Sequence, residues 1–326
     1  MSIRIFWRAT ALGLGLACCA ATAPAAEVQA AFPNKRVTIV VPYSAGGLTD
    51  TLARSLAAKL ATLWGRPVVV ENRDGAGTII GTSAVARTPA DGYTLLFTSY
   101  AYTSNPVLRQ QLPYGPDAFR PVGLLGSSHN VLLVTNRLRG QSLQNLIDRA
   151  KAEPGSFKLA SSGPGSSPHL AAELFATKAG IRFTHVPYKG QGPSMTDLMA
   201  GVVDGMFDGM SSYALVKSGK VAAVAIAAEQ RHPGAPEIPT FKELGMDFVS
   251  GSWFGMLAPA ATPDAVVRQI NADLHRALED PAVRAQIAKT GLLVSLSTPE
   301  AFGQFLQAET RKLQALLQSG VRIDLD

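Results

Sequence analysis

Three stretches of this sequence place glycines and hydroxyl side chains where a strand hands over to a helix. In VPYSAGGLTD, residues 41–50, a β-branched run stops at Pro42, Gly46 and Gly47 follow, and helical spacing opens at Thr49 and Asp50. A helix start leaves backbone N–H groups without partners, and glycines let an anion approach them. Tyr43 precedes the turn, and Ser44 and Thr49 add hydroxyls. The segment lacks the Lys-Ser/Thr ending of a phosphate-binding loop, so nothing reaches toward a γ-phosphate or Mg²⁺. As a plain turn it would use Thr49 or Asp50 as the helix cap. Asp50 would repel an anion; its open roles are capping, holding water or meeting a ligand amine, and capping comes first.

The second stretch is SSGPGSSPHL, residues 161–170. Ser161, Ser162, Gly165 and Ser166 lead to Ser167 as a natural cap and to Pro168, a good first-turn residue. Anions suit such a helix end because the dipole and the unpaired N–H groups act together. A hydrolase elbow needs Gly-x-Ser-x-Gly, and no glycine follows Ser166 at the required position. His169 reads either as a ligand contact or as a helix-start histidine packed on its neighbours. The third stretch, DGAGTIIG at 74–81, mimics a dinucleotide fingerprint but follows the charged ENRD with no acid placed to bind a ribose, so a structural turn is expected.

Metal and cofactor chemistry find no support. The five histidines (129, 169, 185, 232, 275) are far apart, with no His-x-x-x-His and no carboxylate cluster. Asp204 and Asp208 would share one face of a short strand, yet glycosidase chemistry also needs an acid in an apolar pocket. No nucleophile, base and orienting group stand together.

These loops need a scaffold. The 326 residues suffice for two domains, and 47% hydrophobic with 17% charged residues suits well-cored ones. Formal charge is +6 but scattered, unlike a nucleic-acid footprint, so no nucleic-acid partner is expected. Arg4 and Arg8, a small apolar run over 9–21 and APA at 23–25 make a secretory signal peptide over 1–25, with cleavage as late as 30. Both cysteines, Cys18 and Cys19, lie inside it, so the mature chain has no disulfide or thiolate; losing two arginines takes the charge from +6 to +4. An exported, cysteine-free chain suggests a bacterial periplasm. The later apolar run at 221–228 is too short to span a membrane.

Strand patterns at 37–41, 68–70, 93–97, 122–126, 131–135, 157–161, 183–186, 205–209 and 221–228 alternate with helical ones. Helices are expected from about Leu52, over 77–86, 142–152, 168–179 and 193–200, after Thr262 and Pro263, and over 299–318 behind a Ser297/Glu300 capping box. The alternation predicts an α/β fold of mainly parallel sheets with helices on both faces and ligand sites beyond the strands' carboxyl ends. With no linker, the chain should cross between domains as strands.

The order of FPNKRVTIVVPYSAGGLTDTLAR, VVVENRDGAGTIIG, PADGYTLLF, NPVL, HVPYKGQGPSMTDLMAGVVDGMFDG and WFGMLAPAATP resembles the Bug proteins, the TctC-type solute receptors of tripartite tricarboxylate transporters, from about residue 32 to the end. PYSAGG stands where PFPAGG-like segments are common, Thr78 where glycine is frequent, and AGVVDG in place of a Gly-Gln pair before the Asp. The resemblance implies a type II-like two-lobe periplasmic binding protein, with lobes of 32–130 plus 254–326 and of 131–253, and a cleft that captures a small carboxylate without catalysis. It maps residues 43–50 and 161–169 onto the cleft, puts Asp208 near it, and sets residues 99–105, with Ser99 and Thr103, on its rim. A monomer is expected, with membrane transporter subunits or a signalling sensor as partner. The rival expectation is an exported α/β hydrolase using Ser166 and His169.

Overall fold

The computed structural model describes residues 32–318 and Ile323; the expected signal peptide, with Cys18 and Cys19, lies outside the described residues. The elements run β1 (Val37–Val41), α1 (Leu48–Trp64), β2 (Val68–Asn72), α2 (Ile79–Ala86), β3 (Thr94–Ser99), α3 (Ala101–Leu108), β4 (Phe119–His129), β5 (Val131–Val134), α4 (Leu143–Ala152), β6 (Lys158–Ser161) and α5 (Ser167–Ala179). They continue with β7 (Thr184–Pro187), α6 (Gln191–Ala200), β8 (Gly205–Asp208), α7 (Tyr213–Lys217), β9 (Ala222–Ile226), β10 (Gly251–Pro259), α8 (Asp264–Glu279), α9 (Pro281–Ala288), β11 (Leu293–Val294) and α10 (Pro299–Gln318).

Two sheets result, a six-stranded one ordered β11-β4-β10-β3-β1-β2 and a five-stranded one ordered β7-β6-β8-β5-β9. The α/β, two-domain architecture agrees with the sequence expectation, but the sheets are mixed rather than mainly parallel. β1 runs parallel to β2 and β3, and β6 to β7 and β8, whereas β10, β11, β5 and β9 all pair antiparallel. The physical reason is the crossing. β4 ends the first sheet's run at His129, and β5 begins the second sheet at Val131, with only Asn130 between them. The returning chain lies beside it: Asn130 N–H donates to Ser250 O at 2.9 Å and Ala227 N–H to Asn130 O at 2.7 Å. Strands that leave one sheet and return to it this way must oppose their neighbours.

Each sheet has its own core. Leu52, Leu56 and Leu60 of α1 recur every four residues, so they share one helix face and are fully buried with Val267, Ile270 and Leu274 of α8. Burying each leucine contributes about 1.5–3 kcal/mol. Gly65 ends α1 in the left-handed region at φ 60°, which an L side chain resists. Phe175, Phe207, Phe241 and Phe248 pack edge-on and stacked under the second sheet, with centroids 4.9–6.1 Å apart.

Several caps differ from expectation. α1 starts one residue before Thr49, with Gly47 in the cap position. α5 begins at Ser167 and its cap residue is Ser166, without a side-chain capping bond. At α10, Thr298 rather than Ser297 takes the helix amide, from Ala301 at 3.2 Å. Ser297 Oγ instead accepts Leu124 N–H at 3.1 Å, which ties the helix start to β4.

Candidate functional site

β1, β3, β6 and β8 end at the same cavity, and α1 and α5 begin at it. It measures about 60 Å³, and its walls include Tyr43, Gly47, Leu48, Thr49, Ser99 and Phe254 from the first sheet's half and Ser162, Ser166, Pro168, Gln191 and Asp208 from the second's. Ser128, Asn130 and Ser252 close it at the crossing strands. An outer chamber of about 500 Å³ adjoins it, sharing Tyr43 and Ser162 and lined also by Ser44, Arg109 and Lys189. Among the described residues, Asp208 is the one charged side chain lining the inner cavity. An anion there must be held by N–H groups and hydroxyls.

Tyr43, Gly47, Thr49, Ser99, Ser162, Ser166 and Asp208 therefore meet, as seven of the fourteen residues singled out from sequence. Tyr43 OH shares a hydrogen with Ser99 Oγ at 2.8 Å, and burial pushes the phenol up to about 12, so it stays neutral. Ser166 is 3% exposed, and its Oγ is buried without a hydrogen-bond partner. Such an orphan costs about 1–3 kcal/mol, which a ligand acceptor or donor would recover. Ser44 Oγ, in the outer chamber's wall, is likewise buried and unbonded.

The other residues stand behind the walls. Gly46 takes φ 84°, and its N–H donates to Asp50 Oδ2 at 3.0 Å. Asp50 also accepts from Arg54 Nε at 3.0 Å and Asn72 Nδ2 at 2.9 Å. Burial opposes its charge, but those three bonds prevail and hold its carboxyl below the usual range. It buttresses the turn from behind. Ser161 Oγ meets His185 Nε2 at 2.7 Å and accepts Gly163 N–H at 3.1 Å. His169, fully buried, stacks on His185 at 4.0 Å and accepts Gly165 N–H on Nδ1 at 3.1 Å. Gly165, at φ 75°, has Ser104 Oγ donating to its carbonyl at 2.5 Å. Thr103 donates to Tyr100 O at 2.9 Å and lies in a separate outer groove. Asp204 is paired with Arg137 and accepts Lys158 N–H at 2.8 Å, outside the cavity.

Two features carry no hydrolase chemistry. No hydrogen bond joins Ser166 to His169, whose Nδ1 is committed to the backbone. Among the described residues no group of three His, Cys, Asp or Glu is placed to hold a metal. The DGAGTIIG turn, expected to be structural, also lines the outer chamber through residues 74–78. Gly75, Ala76, Gly77 and Thr78 all have positive φ, and Asn105 Nδ2 braces it through Gly77 O at 2.8 Å.

Sequence reasoning missed Gln191, Ser128, Asn130, Ser252 and Phe254. Gln191 is the most consequential. Its Oε1 accepts Leu48 N–H, the first amide of α1, at 2.7 Å, and its Nε2 donates to Asp208 Oδ2 at 2.5 Å. Asp208 also accepts from Ser212 Oγ. Burial outweighs these bonds and raises the Asp208 carboxyl to about 6. One available signal was a long amide between two glycines, Gly190 and Gly192, at a helix start.

The model of the tripartite tricarboxylate transporter family receptor matches residues 52–321. The chain belongs to this family, TctC. BugT of Bordetella pertussis is 37% identical over 297 residues, 88% of this chain and 90% of BugT. Among solved structures, the periplasmic binding protein BugD aligns with TM-score 0.85 at 33% identity, over 89% of this chain and 99% of BugD. MatC from Rhodopseudomonas palustris, with bound malate, aligns with TM-score 0.83 at 33% identity, over 87% and 99%. TctC members are solute-binding receptors and not enzymes, so this chain is a receptor, as its sequence led us to expect.

Proposed function

We propose that this TctC receptor captures a small organic carboxylate between two lobes and delivers it to a tripartite tricarboxylate-type transporter from the periplasm. The lobes are residues 32–130 with 254–326, and residues 131–253. The signal peptide over 1–25 exports the chain. The observation that carries the reading is the inner cavity itself. The starts of α1 and α5, on different sheets, both open into it, no cation among the described residues lines it, and Ser166, a residue of its wall, has a buried hydroxyl without a partner. A carboxylate suits that wall because helix-start N–H groups and a hydroxyl act as charge-assisted donors. The inner cavity holds about two waters' volume, so the ligand's remaining atoms extend past Tyr43 and Ser162 into the outer chamber. That malate occupies MatC fits this ligand class.

Binding by hinge closure stabilises the folded protein through linkage. A thermal-melt panel of C2 to C8 mono- and dicarboxylates tests the reading, with amino acids and neutral amides as controls. Acids should raise Tm and the amides should not. A panel in which no carboxylate shifts Tm would remove the ligand class. Mass spectrometry of molecules retained on the purified protein would then identify the ligand directly.

A further inference from the structure

The Gln191 side chain, on the second lobe, reaches across to the first helix start while a residue of its own lobe fixes its amide. Its Oε1 holds the Leu48 amide of α1, a helix packed on the first sheet, at 2.7 Å. Its Nε2 holds Asp208 at the end of β8, in the second sheet, at 2.5 Å. These partners fix the amide's orientation, since a flipped amide would set oxygen against carboxylate and N–H against N–H. The surrounding backbone is shaped for the approach. Ser44 N–H donates to Lys189 O at 3.3 Å, a Cβ on Gly190 would overlap Ser44 Oγ, and a Cβ on Gly47 would stand 3.3 Å from Gln191 Cβ. Glycines at 47 and 190 thus allow segment 189–192 to lie directly on segment 44–48.

We propose that Gln191 is an interlobe latch and a specificity-determining residue: it takes the first amide of α1 across the lobes, is held in place for this by Asp208 of its own lobe, and thereby competes with an acid at the α1 end of the cavity. Leu48 N–H is the amide a carboxylate at α1 would otherwise claim. With it occupied, that donor is lost to an acid, while the Ser166 hydroxyl at α5 stays unbonded. The steering half of this proposal rests on the organic-acid reading above. The latch half does not, because its hydrogen bonds join the protein's own residues.

The test separates the two. In the full chain carrying Cys18→Ser and Cys19→Ser, nitroxide labels are attached at cysteines replacing Arg268 on α8 and Lys151 on α4. Inter-label distances are measured by electron spin resonance after refolding in ligand-free buffer. The parent should hold a short-distance population. Gln191→Leu, of similar volume but without hydrogen bonds, should lose it and shift to longer distances. Gln191→Glu should open likewise, because repulsion from Asp208 in its own lobe displaces the carboxylate from Leu48 N–H. The double variant Gln191→Glu/Asp208→Asn reverses the donor and acceptor and should restore the short population. Equal distributions in parent and Gln191→Leu, or no recovery in the double variant, would overturn the latch. Should Gln191→Leu fail to fold, the Gln191→Glu pair decides alone. Steering is read by the carboxylate melt panel: Gln191→Leu should change the rank order of acids, and an unchanged order overturns that half. A panel flat for the parent as well would fault the organic-acid reading and leave the latch result standing.

Discussion

The two helix starts that face each other across the cavity are built differently. The α1 turn is braced by charge: Asp50 gathers Gly46 N–H, Arg54 and Asn72, and the first helix amide is taken by Gln191. The α5 turn is braced by a stacked histidine pair and by Ser104, and it leaves the Ser166 hydroxyl buried and unbonded. A shared motif type does not mean a shared role. The α1 side gives its first helix amide to Gln191 and keeps its unbonded hydroxyl, Ser44, at the outer chamber, whereas the α5 side keeps its unbonded hydroxyl, Ser166, at the inner cavity.

The strongest way to break this contrast is Ser166→Ala. A hydrogen bond to a charged group is worth about 1.5–3 kcal/mol, so calorimetry with the best acid of the panel should show roughly 10- to 100-fold weaker binding. The ligand-free Tm should not fall, because the hydroxyl has no partner to lose. Thr49→Ala, on the α1 side, should cost less than Ser166→Ala. The reverse ranking would invert the assignment.

Gly190→Ala tests the approach of the lobes. Its Cβ would overlap Ser44 Oγ, so affinity should drop by about tenfold or more, near 1.4 kcal/mol, with the fold kept. Unchanged affinity would show that segment 189–192 need not lie on segment 44–48 for binding.

Proton linkage offers a third test. The Asp208 carboxyl is raised to about 6, so its contribution to stability is full below the unfolded value of about 3.8 and is lost as pH rises through about 6. A bound carboxylate beside it favours the neutral form further. Affinity should weaken above pH 6, by up to about tenfold per pH unit. Asp208→Asn should flatten that dependence, and titration calorimetry in two buffers should detect proton uptake in the parent only.

The smallest effect on binding is expected from Asp50→Asn. Its folded carboxyl lies below the usual range, so its stabilisation is present above the unfolded value and fades as pH falls through the folded one. Arg54 is half exposed, which screens that pair, so the hydrogen bonds to Gly46 and Asn72 carry most of the effect. Tm at neutral pH should fall by a few degrees while the acid's affinity changes little. A large affinity loss would make Asp50 a ligand contact after all.

Much of the scaffold was legible because its signals are local. The leucines of α1 recur every four residues, β1 is a β-branched run stopped by proline, and Ser142 caps α4 by accepting Asn145 N–H at 3.1 Å. β10 was not recognised as a strand. Trp253 and Leu257 pack toward α10, while Phe254, Met256 and Ala258 pack toward α1 and α8. Both faces are buried, so the polar alternation that marks a strand is missing. Strand direction was equally hidden, since it follows from the crossing at Asn130.

By itself the sequence determined the α/β alternation, the helix starts rich in N–H groups and hydroxyls, and the family resemblance, all carried by neighbouring residues. Tertiary structure alone decided which donors remain open. Gln191 meets Leu48 across 143 positions and Asp208 across 17. Asp50 turns from the cavity toward Asn72, 22 positions away. Whether a polar group serves a ligand or the fold depends on which partner reaches it first, and that is set by packing at long range rather than by residue type or local spacing.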